Sequence, residues 1–145
     1  MALTTVFTQT QQPNTILEIA DSFSINTLQF TILSVQEMLD YRNCDDFKEE
    51  LCDYLTETAP HYNPNSDYAI HFPENKDILY QHHVNTFVLF NRKHLSIRNQ
   101  PLAIIALPSH LAELLNTSHL YPCFPTYKNI SEYKAAMHEK YEAIS

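Results

Sequence analysis

The sequence contains no glycine. Average usage would place about ten in a chain of 145 residues. Glycine is the residue that reaches left-handed backbone at no steric cost and lets the main chain come close to a ligand. Its absence rules out a phosphate-binding P-loop, a dinucleotide-binding fingerprint and the nucleophile elbow of a hydrolase, each of which needs it at a fixed place. Tight corners must then fall to Asn, Asp or His, the other residues that best tolerate positive φ.

Between these corners the chain alternates strand and helix patterns. Residues 15–24 (TILEIADSFS) alternate weakly, and residues 27–36 (TLQFTILSVQ) alternate well. In the second run Leu28, Phe30, Ile32 and Ser34 fall on one side, with Leu33 and Val35 on the other. A short turn at Ile25-Asn26 makes the pair an antiparallel hairpin. Asn43 is placed to cap a helix over 44–58, and Asp45 and Asp46 suit its positive end. Phe47, Leu51, Tyr54 and Leu55 form the inner face of that helix, and Asp45, Glu49, Glu50, Asp53 and Glu57 a solvated outer face. Residues 59–67 are turn chemistry, and residues 68–72 (YAIHF) a short strand closed by Pro73.

A polar loop, a helix over 84–94 and an apolar run over 102–107 come next. That run is apolar at nearly every position, as in a strand covered on both faces. Pro108 or Ser109 opens a helix, residues 120–124 read as a last strand, and Ser131 caps a final helix. The order β-β-α-β-α-β-α-β-α predicts one α/β domain over 15–145, preceded by a polar arm at 1–14. Its sheet is mixed and mostly parallel, with an N-terminal antiparallel hairpin and about four helices.

Seventeen acidic residues against nine Lys and Arg give a net charge of −8. A nucleic-acid partner would call for a basic stripe, so none is expected. Such an acidic balance permits a basic partner and otherwise keeps a protein soluble. Cys44 and Cys52 would stand about 12 Å apart on one helix, too far for a bridge. With Cys123 the count is odd, which suits a reducing, cytoplasmic compartment. The first residues lack the basic start and apolar run of a signal peptide. No apolar run is long enough to span a membrane.

The run PLAIIALPSHLAELLNTSHLYPCFPTYKNISEYKAAM resembles the C-terminal half of a STAS domain, the fold of bacterial anti-sigma factor antagonists. There a strand passes through a short Pro/Ser link to a helix, a short strand and a closing helix. Residues 38–55 are similar to the segment in which a strand ends at Leu-Asp and the first helix begins, with Asp40 at the family's acidic position. YAIHF matches the central strand. The likeness covers roughly residues 25–142. It implies a non-enzymatic module that regulates transcription or signalling by binding a protein: an anti-sigma factor that is also a serine kinase. Other members imply a transporter ATPase, or a scaffold role in a multi-STAS assembly.

Phosphoregulated antagonists carry an Asp-Ser-Ser-Gly-like motif in the loop before their second helix. Here that loop reads Leu79-Tyr80-Gln81-His82-His83-Val84-Asn85, so the phosphoacceptor position falls on His82 or His83. Thr86 is the nearest hydroxyl and should already be helical. Glu37 replaces the family's glycine before Leu-Asp. A serine switch at the usual site is therefore not expected. The partner-binding surface is expected at Asp40, Tyr80, Gln81, His82, His83 and Asn85, with the exposed face of the following helix.

Other chemistries fit less well. Two adjacent histidines lack the third and fourth ligands of a zinc site; the ordinary expectation is that both are exposed loop or cap residues, or a pH-dependent contact. Cys44 at a helix start could have a lowered pKa, but no base can be assigned to it. No catalytic residue, cofactor or metal is expected.

Overall fold

The computed structural model describes residues 16–55, 66–79, 81–120 and 123–142. The expected arm at 1–14, Tyr80 and residues 56–65 lie outside them. Among the described residues five strands form one sheet: β1 (Leu17–Ile25), β2 (Leu28–Val35), β3 (Ser66–His71), β4 (Ala103–Ile105) and β5 (Thr126–Tyr127). Four helices are described: α1 (Cys44–Leu55), α2 (Gln81–Arg98), α3 (Ser109–Thr117) and α4 (Ile130–Glu142). The strands stand in sequence order. β1 and β2 pair antiparallel, and every later pair is parallel.

This order decides where the helices go. Parallel strands that step across a sheet in one direction, with crossovers of one hand, put the crossover helices on one face. α1, α2 and α3 accordingly bury Phe47, Leu51, Tyr54, Val84, Phe87, Phe90, Leu111 and Leu115 against Leu33, Val35, Ile70 and Ile104. α4 follows the last strand and covers the other face, where Tyr133 and Met137 meet Phe30, Ile32, Ala69, Ala103 and Ile105. β2 and β4 supply residues to both cores, as their patterns predicted. Phe87 lies at the centre of the three-helix face, with its ring 5.5 Å from Phe47, 6.1 Å from Phe72 and 6.4 Å from Phe124.

Backbone corners follow the glycine argument with one exception. Positive φ occurs at Asn26, Asn75, Asn99 and His119, and also at Ala106 (61°). A left-handed alanine costs roughly 1–2 kcal/mol. The bond from Ala106 N–H to Tyr127 O, 2.8 Å, holds it in place at the end of β4.

Several boundaries differ from expectation. Among the described residues the last strand is Thr126–Tyr127, beyond the prolines; of the expected strand at 120–124, Leu120, Cys123 and Phe124 are described and none pairs in the sheet, with Phe124 buried in the core. α4 is capped by Asn129, whose Oδ1 accepts from Glu132 N–H at 2.8 Å, and not by Ser131. Asn43 precedes α1, yet its side chain turns backward: Oδ1 accepts from Asp40 N–H (3.1 Å) and Nδ2 donates to Met38 O (3.0 Å). Glu50 belongs to the interior and not to the solvated face. Its carboxylate accepts from the N–H groups of Ile16 (3.2 Å) and Leu17 (2.9 Å), tying α1 to the start of β1.

Candidate functional site

The corner between β2, α1 and α2 is made by two short segments lying side by side. Leu39 and Ile78 form a parallel bridge, with Leu39 N–H on Asp77 O (3.0 Å) and Leu79 N–H on Leu39 O (2.7 Å). Both bridge side chains are buried, so the residues beside them face outward. Asp77 also fixes the neighbouring helix: its carboxylate accepts from His110 N–H (3.0 Å) and Leu111 N–H (3.1 Å) at the start of α3. The positive end of α3 is thus closed by the chain's own anion.

Asp40 begins the turn into α1. Its carboxylate is held by Arg42, through Nη2 at 2.7 Å, Nε at 3.2 Å and the Arg42 backbone N–H at 2.9 Å. The Arg42 guanidinium keeps the Asp40 carboxyl below the usual carboxylate range. Asp40 therefore shapes the loop, while Arg42 is the more exposed member of the pair.

The proposed phosphoacceptor pair splits. Gln81, His82 and Asn85 stand exposed on the first turns of α2. His83 does not, and the expectation that it is an exposed contact is corrected: it is 0% exposed, edge-on to the Phe47 ring at 5.2 Å. Its Nε2 lies 2.8 Å from Asp40 O, a carbonyl that can only accept, so Nε2 carries the proton. The other nitrogen, Nδ1, is buried without a hydrogen-bond partner. Burial holds the His83 pKa below its ordinary value. Adjacent residues on a helix point about 100° apart. One imidazole was bound to turn inward at a helix start packed on α1.

Cys44 Sγ is 3.5 Å from His83 Nε2 and 3.6 Å from Asp40 O. The pair has the spacing of a thiol and its base but not the chemistry. Nε2 is already a donor to Asp40 O and has no lone pair to take a proton. Burial, with Asp45 and Asp40 adding to it, raises the Cys44 pKa, the opposite of the expected helix-start effect. Among the described residues no group of three His, Cys, Asp or Glu could hold a metal ion, and no helix is long and apolar enough to cross a membrane.

Thr86 lies inside α2, and its Oγ1 donates to His82 O at 3.2 Å. Around the corner stand apolar residues that the sequence reading passed over: Tyr41 is 73% exposed, Leu79 53% and Met38 37%. Alternation about the buried Leu39 and Ile78 could have shown that Met38 and Leu79 face out. A second hollow of about 740 Å³ opens at the carboxyl ends of β3 and β4, lined by His71, Asn75, Lys76, Ala106 and Ser109 among others. His71 Nδ1 is engaged with Ser34 Oγ at 2.7 Å, and burial lowers its pKa.

No family model matches this sequence, and no curated protein matches it. Among solved structures, the chain is similar to an anti-sigma-factor antagonist (STAS) domain protein from Planctomyces limnophilus. The TM-score is 0.64 at 14% identity, covering 83% of this chain and 97% of that one. The fold is STAS-like: an α/β domain whose mixed sheet has an antiparallel β1–β2 pair and parallel pairing beyond it.

Proposed function

We propose that this chain is a non-enzymatic, cytoplasmic regulatory module that binds a protein partner through the corner formed by Asp40, Tyr41, Leu79, Gln81, His82 and Asn85. One observation carries the reading. An exposed aromatic and two exposed aliphatics surround a polar helix start on a STAS-like scaffold. A rim of Tyr, Met and Leu beside hydrogen-bonding side chains is the composition of a protein contact, where aromatic anchors dominate the energy. Asp40 and His83 act from beneath, holding the loop against α2.

Binding in this reading follows shape and charge and is not switched by serine phosphate. The loop offers no serine or threonine, and the Thr86 hydroxyl is spent on its own helix.

The test is affinity purification with wild type, Tyr41→Ala, His82→Glu and a control at Lys128, exposed just after β5 and away from the corner's segments in the chain. Loss of the captured protein with the first two variants and retention with the control is the expected result. Equal retention by all would remove the corner from consideration. The captured protein's class then separates an anti-sigma factor kinase from a transporter ATPase or a multi-STAS scaffold. Stoichiometric phosphate on Thr86 after incubation with ATP and cellular kinases would overturn the absence of a switch.

A further inference from the structure

A different surface lies one helix face away. Between α1 and α2 runs a groove of about 280 Å³ whose floor is Leu51 and Phe90 and whose wall includes Leu89, half exposed. Lys48, Arg92 and Lys93 stand around it. Across the whole sequence acidic residues outnumber basic ones, 17 to 9, yet three of those nine basic residues gather at this single opening. Of the other six cations, four are engaged: Arg42 on Asp40, Arg98 on Ser66 O, Lys134 on Asp21 and Lys140 on Gln100; Lys76 and Lys128 stand apart from the groove. Among the described residues Lys48, Arg92 and Lys93 have no such partner.

We infer that this groove receives an acidic amphipathic helix of a partner protein. The apolar floor lies between two neighbouring helices, the setting in which a third helix lays down anchors at i, i+3 and i+4. The rim decides the sign of the partner. Each cation beside a low-dielectric surface gains more from an opposing carboxylate than it would in open water. A basic helix would place like charges together. Asp45 and Glu49 are exposed on α1 outside the groove lining and disfavour a carboxylate on that side, which leaves Arg92 and Lys93 on α2 as the partners for the ligand's acidic residues. The inference rests on the reading of the chain as a protein-binding module but uses none of the corner's exposed contacts.

The test is selection of a displayed library of helical peptides on the full chain. Enriched peptides are then measured against Leu89→Glu, the pair Arg92→Glu/Lys93→Glu, and His82→Glu. The expected binders carry Leu, Ile or Phe at helical spacing with Asp or Glu alongside. Their affinity falls about tenfold or more with either groove variant, weakens as salt rises, and is unchanged by His82→Glu. Leu89→Ala, which keeps the surface apolar, retains most of the binding and shows that the fold is intact. Neutral or basic winners, undiminished binding to Leu89→Glu, or no enrichment would each overturn the inference. So would a dimer of this chain abolished by Leu89→Glu, or tighter peptide binding by a chain lacking residues 1–14, since the occupant would then be a second copy or the chain's own arm. Loss of binding with His82→Glu alone would move the ligand to the corner and leave the corner reading standing.

Discussion

The two faces of the sheet are held by different means. The three-helix face places polar groups in its interior. Glu50 binds the backbone at the start of β1. Asn91 Oδ1 accepts from Leu102 N–H at 2.7 Å. His94 joins Tyr68 N–H (2.9 Å, at Nε2) to Gln100 O (2.7 Å, at Nδ1). The α4 face relies on rings. Phe23 stacks on Phe30 at 4.9 Å, and Tyr133 meets Tyr127 edge-on at 5.2 Å. At its margin Lys134 pairs with Asp21 at 3.0 Å. Helices entered and left by loops over one face leave many backbone groups to satisfy there, and buried side chains satisfy them. A single closing helix needs only packing. The three-helix face is therefore held by buried polar side chains as well as by packing, and the α4 face chiefly by its rings.

The largest effect should come from the centre of the three-helix face. Phe87→Ala should lower stability by about 3–5 kcal/mol in urea unfolding. Met137→Ala, at the edge of the other core, should cost less; an equal loss would erase the contrast in depth between the two cores. Next, Glu50→Ala leaves two buried N–H groups without acceptors and should cost about 1–3 kcal/mol. An effect near zero would show that β1 does not depend on α1.

Acid should act through the buried histidines of both faces. His83 and His94 on the three-helix face, and His71 beside Ser34 on the α4 side of β3, all have pKa values lowered by burial. The unfolded chain therefore binds more protons than the folded one below an ordinary histidine pKa of about 6.5. Stability should be level just above that pH and fall as pH drops through it. Thermal midpoints between about pH 7 and pH 5 measure this. His94→Gln, which keeps one acceptor and one donor, should make the fall shallower; an unchanged slope would remove His94 as a contributor. At the α4 margin, Lys134→Ala breaks an ion pair that is partly exposed and should cost under about 1 kcal/mol.

Much of this architecture is legible in the sequence where a pattern repeats. Alternation in Leu28–Val35 placed Phe30 and Ile32 opposite Leu33 and Val35, and the two cores bear this out. The lack of glycine sent four corners to Asn or His. Single residues were less legible. Glu50 sits among other carboxylates on its helix, and only β1, more than thirty positions away in sequence, makes it interior. His82 and His83 are identical as letters, and the packing of α2 on α1 alone tells them apart. β5 has two residues and leans on β4, so its pattern is too short to read. The apolar groove was hidden because its lining alternates between two helices distant in the chain, and the basic rim is scattered through an acidic sequence.

Ala106 carries a consequence for engineering. Its methyl group stands where the backbone turns left-handed, against Cβ sterics. Exchanging that methyl for hydrogen would relieve about 1–2 kcal/mol, more than the roughly 0.4–1 kcal/mol of extra freedom a glycine confers on the unfolded chain. The first glycine introduced into this protein would thus make it hardier, and the place for it is the bend where β4 hands over to the link before α3.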